Sequence, residues 1–528
     1  MPVEISKGDW LRAATLFFAV FLAYQAVWQA GFVWDDDSLV TANPCIIGPL
    51  GLREIWTTSA ADICPLTLTT FWIEHALWGL RPLPFHLVNI VMQGGCALLL
   101  WRVLQNLKIR GAWLGALLWA LHPVQAESVA WISELKNIQS GLFYLLTILF
   151  FLKAVDLGGM SGSRLYYVAS LVCAALAMAS KSSTVILPVV LALLAWWKLG
   201  RFTRWDALRI APFMVLALIT SAVTLWTERM QEHEVAYALV PVSGLERLAL
   251  AGYALWFYLF KLLWPDRLSL IYPRWTVDPG QIVSYLPLMA WVLVLVFLWC
   301  KRGTFTKGPF VAAAYFTVAL LPVLGIAHQT FSRFSYVADH FQYLADMGPL
   351  ALVGSGLATV PSSISVEKRW GAIIPIGGLF LFLGLLTWLR STAFLSSEAL
   401  WSDTIDNNPN CAVAYDNLGW LRAQSGQIDD AIALYRKALE IDPRWFGARY
   451  NLANILLQQG QVEQAISEYS EALKVRPDDF RTHTNLGVAL LQAGKVDEAI
   501  VEYKEALRLK PNDPLAKENL ARLQSLAP

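Results

Sequence analysis

Charge is what this sequence has least of. Asp, Glu, Lys and Arg make up 15% of its 528 residues, against about 25% in a soluble domain, so a fully wetted globular surface cannot be built over the whole chain. The charges that remain nearly cancel, at +1. With no basic patch interleaved by aromatics, that balance excludes nucleic acid as a partner. Cysteine is sparse as well, six in all, and no CxxC or Cys/His spacing marks zinc or a redox pair. Cys45 and Cys64 share one loop, where a disulfide and two separate thiols are equally open.

Hydrophobic residues fill the gap, at 56% of the chain with 24 Trp and a mean hydropathy of +0.47. Apolar runs long enough to cross about 30 Å of hydrocarbon recur until Arg390 and then stop. About eleven spans are expected, the first over Leu11 to Ala30 and the last over Gly371 to Leu389. Leu248 to Trp264 reads as a re-entrant or interfacial helix that Pro265 ends. The first run lacks a small-residue cleavage site and is read as a retained helix. Short connections carrying Lys108 and Arg110, Arg164, Lys198 to Arg209, Lys301 to Lys307, and Lys368 with Arg369 mark the cytoplasmic side by the positive-inside rule. That places the N-terminus inside, and an odd count places the C-terminus outside.

After Pro409 one pattern returns every 34 residues: Asn417, Asn451, Asn485; Gly426, Gly460, Gly494; Tyr435, Tyr469, Tyr503; Pro443, Pro477, Pro511. This register resembles the tetratricopeptide repeat, two antiparallel helices that cannot bury their faces alone and so must stack. The expected architecture is all-α: a multi-pass helical membrane domain over residues 1–390, a connecting helix over 391–411, and three repeats with a capping helix over 412–528. Such arrays take peptides or protein partners in a concave groove. Asn417, Asn451 and Asn485 either face that groove or satisfy local backbone groups.

Chemistry is concentrated at one membrane level. "GFVWDDDSLV" sets Asp35, Asp36 and Asp37 behind the first apolar run, and three crowded carboxylates are either solvated or raise one another's pKa. The same loop continues as an amphipathic interfacial helix, with Phe71, Trp72 and Trp78 towards lipid and Glu74, His75 and Arg81 towards water. Further exterior turns carry His122, Glu127, Glu134 and Lys136; then Lys181; then Arg333, Asp339, His340 and Asp346. A cavity rimmed by these groups suits an amphiphile.

The segments "FVWDDDSLV", "RPLPFHLVN", "HPVQAESVAWI" and "SKSSTVILP", followed by the repeats, resemble the transmembrane and tetratricopeptide-repeat O-mannosyltransferase-like proteins, polytopic glycosyltransferases of the GT-C fold. The resemblance implies an enzyme that inverts configuration while moving a sugar, mannose among the candidates, from a polyprenyl phosphate to a protein hydroxyl on the exterior face, the repeats recruiting the acceptor. Asp35 and Asp36 match the acidic pair of that superfamily's first exterior loop, one as base and the other orienting the acceptor. Lys181 leads the candidates for the donor phosphate, with Lys136, Arg333 and His340 secondary, because a Lys between apolar spans is costly unless it meets an anion. His86, His122 and Glu127 are supporting residues. A divalent cation on Asp35 and Asp36 stays open, but nothing completes its ligand set and no metal is assigned. Departures are present: Glu134, Lys136 and Asn137 stand where eukaryotic relatives carry Arg and an acid, and Ser182 stands where they carry an acid. Compact loops and few repeats point to a bacterial inner-membrane protein with periplasmic repeats; a eukaryotic one would place them in the endoplasmic reticulum lumen. A lipid-linked glycan ligase or polymerase and a non-catalytic membrane-anchored scaffold are the rival readings.

Overall fold

The computed structural model describes residues 7–58, 64–157, 162–235, 242–304, 306–325, 330–360 and 370–526. The chain divides into two compact units between Leu400 and Trp401, ten residues beyond the expected end of the membrane domain at residue 390.

Among its described residues the first unit has helices and no strand: α1 (Lys7–Ala23), α2 (Leu52–Thr57), α3 (Pro65–Trp78), α4 (Pro82–Asn106), α5 (Ala112–Ala120), α6 (Ala126–Ala130), α7 (Leu135–Leu157) and α8 (Ser163–Ser180). They are followed by α9 (Leu187–Leu199), α10 (Arg204–Val235), α11 (Gly244–Leu263), α12 (Leu286–Cys300), α13 (Gly308–Leu320), α14 (Met347–Thr359) and α15 (Trp370–Ser391). α16 (Ser397–Asn407) carries the chain into the second unit.

Seven of these, counted with flanking turns, are long and apolar enough to cross a membrane: Pro82–Asn106, Ile132–Leu157, Ser163–Ser180, Ser182–Leu199, Arg204–Thr227, Ile282–Cys300 and Trp370–Phe394. They are the helices of a multi-pass membrane protein. The other expected crossings are shorter. α5 has nine residues, about 14 Å of helix, and lies buried inside the bundle. Its partner is α14, and the two backbones touch: a Cβ on Gly354 would lie 2.4 Å from the Gly115 nitrogen, and one on Gly111 2.3 Å from the Gly354 carbonyl oxygen. Only glycine allows so close an approach, the small-residue packing that replaces the hydrophobic drive between helices in lipid. α11 carries Glu246, Arg247 and Lys261 within twenty residues and is not among the seven. Lys368 and Arg369, used in the charge count, lie outside the described residues.

α3 departs from the expectation. Phe71 and Glu74 are both buried, whereas Trp78 is exposed. The buried stripe runs against α7 and α8, where Thr67 donates to the Ser180 carbonyl at 3.1 Å and Gln139 donates to Thr70 at 2.8 Å. Those polar partners pull the Thr side of α3 inward and take Glu74 with it. Burial pushes the Glu74 carboxyl up to about 8, so it is held neutral rather than facing water. Cys45 and Cys64 are also buried, with no disulfide between them.

The second unit is the repeat array: α17 (Ala412–Gln424), α18 (Ile428–Ile441), α19 (Phe446–Gln458), α20 (Val462–Val475), α21 (Phe480–Gln492), α22 (Val496–Leu509) and a last helix, α23 (Pro514–Leu526). The 34-residue register maps onto these pairs. Ala431, Tyr435 and Ala438, with their counterparts in the next two repeats, are buried in the core. The three turn glycines take φ of +79°, +77° and +77°, the left-handed conformation that a Cβ disfavours.

Candidate functional site

The loop after α1 is folded inward rather than wet. Asp36 is fully buried: its Oδ2 accepts from the Val33 amide at 2.8 Å, and its Oδ1 accepts from the Ser133 amide at 2.8 Å and from the Ser133 hydroxyl. Burial pushes its carboxyl up to about 7, against the opposing pull of those bonds. Both oxygens are committed to tying the loop to the turn before α7. Asp35 is half-buried beside it, within electrostatic reach of Lys136, and Asp37 is exposed, bonding Thr41. The expected pair therefore separates, with Asp36 holding the loop and Asp35 left at the rim. Chelation of a cation by the two does not fit, because Asp36 offers no outward oxygen.

A dense polar cluster continues from Lys136. Glu134, 1% exposed, accepts from the Lys136 ammonium at 3.0 Å and lies 3.7 Å from that of Lys181. Asn137 joins the group, taking Lys181 on its Oδ1 at 2.5 Å and donating to Glu134 at 2.6 Å, to Ser128 at 3.1 Å and to the His340 carbonyl at 3.0 Å. His340 contacts Glu127 through Nδ1 at 2.5 Å. Burial lowers the His340 pKa to about 3 and raises that of Glu127, so the two share one proton as a neutral pair. Behind them Asp339 accepts from the Tyr272 hydroxyl at 2.8 Å.

Only the outer face of this cluster is open. The Lys136 and Lys181 side chains are 22% and 17% exposed, with both ammoniums turned to the buried Glu134 and that of Lys136 also within electrostatic reach of Asp35. Trp34 lies against the same rim, stacked on Trp131 at 5.4 Å and edge-on to Phe334 at 5.7 Å; the Arg333 guanidinium sits over the Phe334 ring at 4.4 Å. Two ammoniums, a carboxylate and aromatic walls can hold an anionic headgroup and a sugar.

The other expected residues lie apart from this rim. His122 bonds the Leu262 carbonyl at 2.9 Å through Nε2 and the Val124 amide through Nδ1, so both ring nitrogens serve the bundle. His86 is buried in α4 against the backbone of Ala30, Gly31 and Ala130. Glu127 is enclosed and contacts the cluster through His340. Sequence reasoning did not assign Ser133, Asn137 or Tyr272 to the site. Asn137 had a signal, since "ELKN" places three polar side chains at the start of an apolar span; Ser133 and Tyr272 had none, because their partners are distant in sequence.

In the second unit the three asparagines are half-buried and bonded within the array. Asn417 donates to the Val413 carbonyl at 2.8 Å, Asn451 to Asp416 at 2.9 Å, and Asn485 to Asn454 at 2.9 Å and to the Tyr450 hydroxyl at 3.1 Å. The latter two tie successive repeats together.

Residues 450–514 match a tetratricopeptide repeat family model and residues 419–460 a TPR repeat model. Over 517 residues the chain is 25% identical to "Protein O-mannosyl-transferase TMTC4" of Mus musculus, covering 79% of this chain and 65% of that protein. The protein of the same name from Homo sapiens is 23% identical over 524 residues, covering 82% of this chain and 67% of that one. The chain is thus similar, over most of its length, to transmembrane and tetratricopeptide-repeat proteins of that name. It spans about two thirds of the length of these relatives. The likeness extends well beyond the repeats, which occupy only the second unit.

Proposed function

We propose that the chain is an integral-membrane glycosyltransferase that moves a sugar from a polyprenyl phosphate to a hydroxyl group of a protein acceptor, with inversion at the sugar carbon. The observation that carries this is the rim itself: Asp35 within reach of Lys136, whose ammonium shares the buried Glu134 with that of Lys181, the latter also held by Asn137. In the reaction the bond between the sugar anomeric carbon and the phosphate oxygen breaks as the acceptor oxygen bonds that carbon from the opposite face. The hydroxyl proton passes to the Asp35 carboxylate. The departing phosphate keeps the electron pair of the broken bond, and Lys136 and Lys181 meet its negative charge. Asp36 positions Asp35 by tying down the loop. His340 and Glu127, as a neutral pair, hold the Asn137 side of the cluster without adding charge. The names of the relatives favour mannose and a protein acceptor, and the repeats suit an extended segment of that acceptor. The exterior or lumenal face is the side on which the positive-inside rule places the rim.

The test is transfer by the purified protein from a panel of polyprenyl-phosphate sugars to peptides, beside Asp35→Asn and Lys181→Met variants of equal helicity. Transfer lost in both supports the reading. Equal transfer in all three proteins, or none with any donor, sinks it.

A further inference from the structure

A large cavity lies at the other end of the same helices. From Asn89, beside the rim cluster, to Asn106, α4 runs seventeen residues, about 25 Å. There a space of about 1140 Å³ opens between α4, α7, α9, α13 and α14. That exceeds the range of about 300–1,000 Å³ typical of sites for small molecules. Apolar side chains, Leu, Ile and Val foremost, form most of its wall, and Leu199 and Leu352 in that wall are 41% and 39% exposed, so it opens sideways from the bundle rather than being sealed.

Its polar lining is one-sided. Four cations, Lys108, Arg110, Lys198 and Lys307, face one carboxylate, Asp156. Lys198 is already satisfied, donating to Asp156 at 2.8 Å and to Asn106 at 2.6 Å. Lys108, Arg110 and Lys307 have no ion-pair partner among the described residues, although Lys307 sits over the Trp196 ring at 5.1 Å. Lys108 and Thr306, both in the lining, hold φ of +57° and +74°. Such a backbone persists only where the surroundings fix it. Three uncompensated cations at the end of an apolar, laterally open slot are complementary to an anionic head on hydrocarbon chains.

We propose that this cavity binds one glycerophospholipid from the surrounding membrane, its phosphate among Lys108, Arg110 and Lys307 and its acyl chains between the helices. The assignment is independent of the proposed transferase, since it uses none of the rim residues.

The test is native mass spectrometry and phosphorus analysis of the full chain purified in mild detergent. One retained phospholipid per chain is expected. A variant combining Lys108→Gln, Arg110→Gln and Lys307→Gln should lose at least about fivefold of that occupancy, and Leu352→Trp, which narrows the mouth and leaves every cation in place, should also lower it. Lys301→Gln, outside the cavity lining, should retain the lipid. Vesicles of phosphatidylglycerol should restore the bound mass to delipidated protein where inorganic phosphate does not. No retained phospholipid in the parent protein overturns the proposal, as does unchanged occupancy in both cavity variants or equal loss with Lys301→Gln. Recovery of a polyprenyl phosphate, or restoration by inorganic phosphate alone, overturns the choice of ligand.

Discussion

His340 in the membrane unit and His483 in the repeat unit each meet a glutamate through Nδ1, at 2.5 Å and 2.6 Å. The two pairs are nevertheless different chemical species. His340 and Glu127 are enclosed, and burial drives the imidazole pKa down and the carboxyl up, which favours a shared proton without net charge. His483 pairs with a glutamate whose side chain is 23% exposed, and its second nitrogen donates to the Pro477 carbonyl at 2.9 Å, so Glu502 and that carbonyl raise its pKa and favour the cation. Geometry alone does not define an ion pair; the surrounding dielectric decides whether one forms.

The largest contrast between the units should appear in rate. Asp35→Asn is expected to lower sugar transfer by about 10²–10⁴-fold with unchanged melting of either unit, measured as initial rates beside peptide-resolved thermal melting of the full chain. Asn451→Ala in the array should leave transfer to a free small acceptor unaltered.

Asp36 should break the comparison in the opposite sense, through stability. Asp36→Ala strands the Ser133 and Val33 amides that it now accepts from and should cost the membrane unit about 3 kcal/mol, with transfer per folded molecule falling as well because Asp35 is no longer held in place. A variant that melts normally but transfers slowly would instead make Asp36 a participant in the reaction.

A smaller effect, confined to the array, is expected from Gly487→Ala. The new Cβ would lie 2.7 Å from the Tyr503 ring, an overpacking worth about 1–3 kcal/mol, visible in melting of peptides from residues 480–509 and absent from those of the membrane unit.

The smallest effect is in pH. The His340 pKa falls from 6.5 to about 3 on folding, so its contribution is complete above pH 6.5 and is lost as pH falls towards 3, when the unfolded chain takes up the proton. The raised pKa of His483 gives the reverse sign: its contribution is present below 6.5 and is lost as pH rises through the folded value. Measured against its own His→Gln variant, melting between pH 5 and pH 8 should therefore drift upward for the membrane unit through His340 and downward for the array through His483, whereas the raised carboxyls of Asp36 and Glu74 pull the parent membrane unit downward over the same range.

The two units were also unequally legible. The repeats could be placed nearly to the residue because each buries the same Ala and Tyr positions against its neighbour, and a 34-residue period repeats that requirement three times. The membrane unit declares itself by composition, but its helices are hydrophobic on every side, and no amphipathic stripe says which face is core. That is why α5 was expected to cross and is a nine-residue buried helix, whereas Glu74 was expected in water because α3 reads as an amphipathic interfacial helix, a face that the Thr67 and Thr70 bonds turn inward. At the site, Lys136 and Lys181 were legible because ammoniums between apolar runs are costly. The separation of Asp35 from Asp36 was not, since it depends on Ser133, ninety-seven residues away.

Trp34, directly before Asp35, holds a φ of +46°, a conformation that costs a tryptophan about 1–3 kcal/mol. Its stack on Trp131 and the anchored carboxylate two residues later keep it there. The loop is thus a loaded spring whose tension is met once, when the protein folds, and not at each turnover. A donor arriving from the bilayer meets a carboxylate already aimed, and little of its binding energy goes into arranging the loop. Trp34→Gly would release that tension and leave the acid in place, but would return the work of aiming it to every substrate molecule.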